Sequence, residues 1–218
     1  HLCFFLPCWG SESPPRVPVL STLSGRPASQ NERELLALEA FMSERGVASY
    51  LEVGARHGDT FHHVVSSLGA GARGVAVDMA GALWGAAASA DALARAARDL
   101  GRLGYGDVHV IFGDSHDGGV VSAVRGLGPY GLALIDADHT YAAVAQDFRD
   151  YSPMAEYVAF HDIAGHTQGT RSGGRRHRVE VPRLWRELRA THEHWEFVDA
   201  GSQMGIGVLR VKQQETDK

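Results

Sequence analysis

Cysteine is nearly absent from this 218-residue chain, and the two present, Cys3 and Cys8, both fall within the first ten positions. Neither a disulfide framework nor a cysteine metal cage can hold the fold, and such sparse use fits a reducing compartment. Long apolar runs are missing too. The aromatic opening at 1–6 has no basic flank, is too short to span a bilayer and runs into Pro7. No transmembrane segment is therefore expected, and the cytoplasm is the expected location. Basic charge is in deficit, with 21 Lys and Arg against 26 Asp and Glu and a formal net charge of −5. A surface that neutralises phosphates needs the opposite balance, so neither nucleic acid nor membrane is an expected partner. Internal repeats at solenoid spacing are also lacking.

What is present is 44% apolar residues, enough for one sizeable domain. Residues 1–29, rich in Pro, Ser and Gly, read as an N-terminal extension, 30–212 as the domain and 213–218 as a polar tail. Leu35, Leu36, Leu38, Phe41 and Met42 recur at helical spacing, with Ser29 or Asn31 able to cap the start and Gly46 placed to end it. Strands then alternate with helices. The strands cover 48–53, 71–78, 108–112, 131–135 and a fifth run ending at Asp162; between them lie a helix carrying Phe61, Val64, Val65 and Leu68, then helices over 86–103, 119–127 and 141–151. Alternation at this interval implies right-handed crossovers and a parallel sheet with helices on both faces. Pro182 opens a further helix carrying Leu184, Trp185 and Leu188. Runs 195–200 and 205–211, joined by Gly201-Ser202-Gln203-Met204, read as an antiparallel hairpin. The predicted class is α/β: a Rossmann-like, doubly wound, mostly parallel seven-stranded sheet ending in that hairpin.

The strands close on polar residues, and open α/β sheets hold ligands at those carboxyl ends. Leu134-Ile135-Asp136-Ala137-Asp138-His139 and Val158-Ala159-Phe160-His161-Asp162 place Asp136 and Asp162 toward one crevice, with Asp138 or His139 beside them as a base. Glu52-x-Gly54-x-x-x-Gly58 lets the backbone turn tightly and present amides at a helix N-terminus. Asp78, 20 positions after Gly58, is spaced to accept hydrogen bonds from ribose hydroxyls, and Asp114 with Ser115 is placed to read an adenine edge. Each signal is weak alone, the glycine turn most of all, but they converge on a nucleoside cofactor. The turn lacks G-x-G-x-x-G spacing and no Tyr-x-x-x-Lys pair is present, which counts against a nicotinamide-dependent oxidoreductase. A non-catalytic cofactor-binding protein is the other alternative.

The order Glu52-Val53-Gly54-Ala55-Arg56-His57-Gly58, Val77-Asp78-Met79, Gly113-Asp114-Ser115 and Ile135-Asp136-Ala137-Asp138-His139 resembles the class I S-adenosylmethionine-dependent methyltransferases. Within these it is similar to the metal-dependent small-molecule O-methyltransferases: the catechol and caffeoyl-coenzyme A enzymes and the bacterial sugar and antibiotic O-methyltransferases. The resemblance covers roughly 31–211. It implies that Glu52, Gly54, Ala55, Arg56, His57 and Gly58 surround the methionine part of S-adenosylmethionine. Asp78 would then hold the ribose, Met79 would lie against the adenine, Asp114 and Ser115 would contact its edge, and Asp136 would adjoin the cofactor. It also implies Mg2+ or another divalent cation on Asp136 and Asp162, 26 positions apart. The base in such enzymes lies three positions after the first metal acid, here His139, or two after, here Asp138. His139 is preferred, because its ordinary pKa of ~6.5 suits proton removal near neutrality. One departure is Ile163, where many metal-dependent members carry Asn or Asp; it leaves the site one oxygen ligand short. Ligation by His161 would favour a softer metal such as manganese, iron or zinc. A metal-independent N- or O-methyltransferase of the same fold is the alternative.

Plainer readings stand beside these. Asp136 and Asp162 can cap the segments that come after them, Asp138 can be the N-cap of the helix near Tyr141, and His139 can be a hydrogen-bonded wall residue. His161 reads as structural rather than ligating. His57, His62 and His63 read as helix-surface or cofactor-wall residues, and Trp185 and Trp195 as core. The basic run at 171–178 is by default a solvated loop; its alternative is a site for an anionic acceptor, such as a phosphorylated or nucleotide-linked sugar. The expected acceptor is a small molecule, a sugar or other secondary metabolite, walled by the extension, the basic loop and the segment around Trp84. Homo-oligomerisation is left open.

Overall fold

The computed structural model describes residues 30–69, 71–79, 87–165, 170–172 and 175–211. The extension 1–29, the segment around Trp84, positions 166–169 and 173–174 of the basic loop, and the tail 213–218 lie outside the described residues. Helix α1 (Glu32–Glu44) begins at Asn31, whose side-chain oxygen accepts from the amides of Arg33 and Glu34. It buries Leu35, Leu38, Phe41 and Met42, the stripe its spacing predicts.

The next elements are β1 (Ser49–Val53), α2 (Asp59–Ser67), β2 (Arg73–Asp78), α3 (Ala87–Arg102), β3 (Asp107–Phe112), α4 (Gly118–Leu127), β4 (Tyr130–Ile135) and α5 (Tyr141–Tyr151). After a single 3-10 turn at Ser152–Met154 come β5 (Ala155–His161), β6 (Thr170–Ser172), β7 (Arg175–His177), α6 (Val181–Leu188), β8 (His194–Phe197) and β9 (Ile206–Arg210). Two differences from the sequence reading have physical reasons. The basic loop carries a β6–β7 hairpin, with Ser172 opposite Arg175; Gly173-Gly174 between them is a two-residue hairpin signal. Strand β8 stops at Phe197, not at 200, because the Asp199 amide donates to Glu34 Oε1 (3.0 Å) instead of to the ladder.

Seven strands form one sheet in the order β3-β2-β1-β4-β5-β9-β8, with β9 antiparallel to both β5 and β8. Alternate residues go to opposite faces. Leu51, Val53, Val75, Val77, Ala133, Ile135, Val158 and Phe160 pack in one cluster with Val121, Val144 and Trp185 from α4, α5 and α6. Tyr50, Ala76, Leu132, Leu134, Tyr157 and Ala159 pack in the other with residues of α1, α2 and α3. The winding reverses between β1 and β4, the kind of switch point beside which open α/β sheets hold ligands at the strands' carboxyl ends. Trp185 is core, covering Gly207 so closely that a Cβ there would lie 2.6 Å from its ring. Among the described residues no helix is long and apolar enough to cross a membrane.

Candidate active site

Strand β1 runs into the glycine turn. Gly54 has φ +96°, and a Cβ on it would lie 2.4 Å from the Asp136 carbonyl oxygen and 2.6 Å from the Ala137 nitrogen. The cofactor-type turn and the segment bearing the candidate base are thus in backbone contact, and the Asp136 amide donates to the Val53 carbonyl (2.8 Å). Gly58 stands at the N-terminus of α2 with φ +81°, tight against Leu93 of α3. Arg56, at φ +48°, donates its backbone N–H to Asp78 Oδ2 (2.7 Å). Burial raises the Asp78 pKa, opposed by that amide and by His57 and Arg56. Met79 is 49% exposed at the end of β2, and Phe112, 45% exposed, ends the neighbouring β3 opposite Asp78. Phe112 was hidden in the sequence as simply the last apolar residue of a strand.

Glu52, at the end of β1, is buried and accepts the Tyr50 hydroxyl (2.7 Å). Burial pushes its carboxyl up to about 8, against the Tyr50 hydrogen bond and with help from Asp136, Asp78 and Asp59. An acid whose folded pKa exceeds its unfolded one gives stability fully present below the unfolded value and lost as pH climbs through the folded value. The wild-type thermal midpoint should therefore fall between pH 5 and pH 8 relative to that of Glu52→Gln, by about 3 °C or more. Parallel pH curves for the two proteins would show that Glu52 ionises normally.

The loop after β3 holds Asp114 and Ser115. Asp114 Oδ1 accepts the His116 amide (3.0 Å), and Asp117 caps α4 through the amides of Gly119 and Val120. From beneath, the Tyr151 hydroxyl donates to the Ser115 carbonyl (2.7 Å), and His116 Nε2 lies 3.1 Å from Asp147 Oδ1. Asp147 escaped the sequence reading, although a charge three positions after Val144 on an otherwise buried helix face was a signal.

At the ends of β4 and β5 the structure brings Asp136, His139, His161 and Asp162 together. His139 Nδ1 lies 3.1 Å from Asp162 Oδ2, and its Nε2 lies 4.0 Å from Asp136 Oδ1. His161 Nδ1 sits between the acids, 3.3 Å from Asp136 Oδ1 and 3.4 Å from Asp162 Oδ1. Gln30 donates its side-chain amide to Asp136 Oδ2 (2.8 Å). Asp162 adopts φ +63°, a left-handed conformation that Asp tolerates better than most residues. Burial opposes protonation of both imidazoles, yet both pKa values are raised: His161 to about 9, chiefly by the Asp136 charge, and His139 by its Asp162 hydrogen bond and both carboxylates. Burial would raise Asp162, but the His139 hydrogen bond and the charges on His161 and His139 lower it.

One expectation changes here. Asp138 does not cap α5, whose N-cap is Thr140; its Oδ1 instead accepts the Thr140 amide (2.7 Å), closing the turn that leads in. His161, read as structural rather than ligating, pairs with both acids. Among the described residues no group of three or more His, Cys, Asp or Glu is arranged to hold a metal ion. His62 and His63 pair instead with Asp99 (3.1 Å) and Glu39 (3.2 Å).

A family model described as a methyltransferase domain matches residues 51–163 of this sequence. No curated protein matches it significantly in sequence. Among solved structures, a protein described as a caffeoyl-CoA O-methyltransferase from Staphylococcus aureus aligns with TM-score 0.63 at 13% identity, covering 84% of this chain and 85% of that one. An O-methyltransferase from Bacillus cereus in complex with SAH aligns with TM-score 0.61 at 15% identity, over 86% of each chain. The O-methyltransferase TomG from Streptomyces achromogenes, involved in tomaymycin synthesis and solved with SAM, gives 0.60 at 16% identity, over 84% of this chain and 81% of that one. At these identities the likeness is one of fold.

Proposed function

The chain belongs to the methyltransferase-domain family, and from that premise we propose that it transfers the methyl group of S-adenosylmethionine to a hydroxyl of a small molecule, a sugar or another secondary metabolite. The observation that carries the reading is the contact of the Gly54 turn with the Asp136–Ala137 backbone, which sets a cofactor-type loop against the segment bearing His139. The other strand ends suit the cofactor. Asp78 has one oxygen held by the Arg56 amide, a fixed orientation for receiving a ribose diol, and the half-exposed Met79 and Phe112 offer apolar surface for a purine. When bound, S-adenosylmethionine supplies an electrophilic methyl group on its sulfonium. The chain's part is to hold the acceptor oxygen in line and to take its proton. Asp162 engages His139 Nδ1 and so orients the imidazole that takes that proton. His161, held as the cation, offsets charge between Asp136 and Asp162.

Magnesium suits this donor set poorly. It prefers oxygen ligands in octahedral array, whereas here each carboxylate is already engaged by an imidazole, and no group of three or more His, Cys, Asp or Glu among the described residues is arranged to hold a metal ion. No step is therefore routed through a cation. The acceptor is proposed to carry an anionic group. The β6–β7 hairpin, whose sequence includes Arg171, Arg175 and Arg176, leaves the sheet after Asp162 and returns to Glu180, whose amide donates to the His139 carbonyl (2.7 Å).

Calorimetry should show S-adenosylhomocysteine binding, weakened strongly by Asp78→Ala. Transfer of labelled methyl to a panel of sugar and catechol hydroxyls should persist in excess chelator. Turnover lost on chelation and restored by Mg2+ or Mn2+ would return the metal to the reaction. Tight nicotinamide binding with no response to S-adenosylhomocysteine would remove the cofactor assignment.

A further inference from the structure

We propose that Asp147, a fully buried carboxylate on α5, is a positioning residue for base recognition, holding the 114–117 loop through His116 in the shape that reads the adenine of the cofactor. The inference rests on the methyltransferase reading. Asp147 is fully buried on the face of α5 that also buries Val144, Ala145 and Tyr151. An apolar residue there would pack with that cluster, and a carboxylate taken out of water costs several kcal/mol unless its partners compensate. Asp150 and Asp138 oppose its charge, and the groups that favour it both lie on the loop after β3. His116 Nε2 lies 3.1 Å from Oδ1, and both Ser115 and His116 favour the ionised form, although burial pushes the carboxyl up to about 6. One helical turn on, Tyr151 grips the Ser115 carbonyl, while Asp114 Oδ1 fixes the His116 amide from within the loop.

The loop is thus held from below by α5, and Asp114, 57% exposed at its side chain, is presented above. It is also coupled to the ribose-type acid, since the Gly113 amide donates to the Asp78 carbonyl (3.0 Å). Helix α5 begins two residues after His139. At 1.5 Å per residue, Asp147 lies roughly 9 Å along the helix from Tyr141. The base segment therefore leads directly into the helix that carries the anchor of the adenine loop near its middle.

The test compares S-adenosylhomocysteine with S-inosylhomocysteine, in which the adenine amino group is replaced by a carbonyl. Affinities for both are measured by calorimetry on the wild type, Asp147→Asn, Asp147→Leu and His116→Gln, together with thermal midpoints and kcat at saturating cofactor. The wild type should prefer the adenosyl compound by about tenfold or more, the discrimination expected when a polar edge loses its partner. Asp147→Leu should lose most of that preference by weakening the adenosyl compound alone, with kcat kept within about twofold. His116→Gln should reproduce the loss, and the double variant should add little. If Asp147→Leu does not fold, the near-isosteric Asp147→Asn decides the matter by the same ratio. Equal weakening of both compounds, an unchanged ratio, or a lowered midpoint alone would overturn the role. A wild type that binds S-adenosylhomocysteine but does not discriminate would overturn it too. A wild type that binds neither compound would instead defeat the methyltransferase reading beneath it.

Discussion

Replacing His139 by alanine is expected to lower turnover by about 10²–10³-fold while leaving S-adenosylhomocysteine affinity within about twofold. The expectation follows from what His139 touches. Its Nδ1 faces the Asp162 carboxylate at 3.1 Å, which fixes the tautomer, orients the ring and stabilises the imidazolium formed when the acceptor's proton arrives. The same surroundings give the pH dependence a sign. The Asp162 hydrogen bond and the two carboxylate charges outweigh burial and raise the His139 pKa, so the proton-accepting form accumulates only as pH climbs above the ordinary imidazole range. The wild-type rate should rise with pH through neutrality and level off beyond the raised pKa. Asp162→Asn removes the principal raising contact, so its limb should move to lower pH while its plateau falls. Rates at saturating cofactor across pH 5.5–9.5 for the three proteins decide it: a His139→Ala variant that keeps the wild-type profile would hand the proton to Asp138 or to solvent.

Legibility in the sequence followed the range of the interactions. Period and punctuation are local, and so α1, the alternating strands and helices, and the terminal hairpin were readable from apolar spacing, caps and glycines. The acids at the strand ends were readable because a parallel sheet gathers all its carboxyl ends on one edge. What joins them was not. His161 enters the cluster because Asp162 turns left-handed at the end of β5 and the register sets Ile135 opposite Phe160, neither of which has a local signature. Gln30 reaches Asp136 across 106 positions, and Glu34 clamps the turn before β9 through the Asp199 and Gly205 amides; both contacts exist only once α1 has docked. The cap reading of Asp138 fails for the opposite reason. Its signal is local and real, but the turn it stabilises ends at Thr140, and Thr140 takes the capping position.

Gly54→Ala should be the most damaging single change at this site, and Gly46→Ala is its control. Both glycines have positive φ, +96° and +63°, but nothing lies within 4 Å of a Cβ on Gly46, whereas one on Gly54 would sit 2.4 Å from the Asp136 carbonyl and 2.6 Å from Ala137. Gly46→Ala should therefore cost only backbone strain, about 1 kcal/mol, with kcat and cofactor affinity unchanged. At Gly54 a steric penalty is added to the strain, for a total on the order of 2–6 kcal/mol and a thermal midpoint lowered by about 5–20 °C. The atoms in the way are backbone, so no rotamer change relieves the contact. Either the turn withdraws from β2, where the Gly54 and Ala55 amides donate to the Val77 carbonyl, or the 136–139 segment moves and carries Asp136 and His139 with it. The first route loses the cofactor and the second loses the base. The folded fraction of Gly54→Ala, measured well below its midpoint, should then show at least about a hundredfold loss in kcat/KM. A folded variant with normal kcat/KM would mean that the contact between turn and base segment is incidental to catalysis.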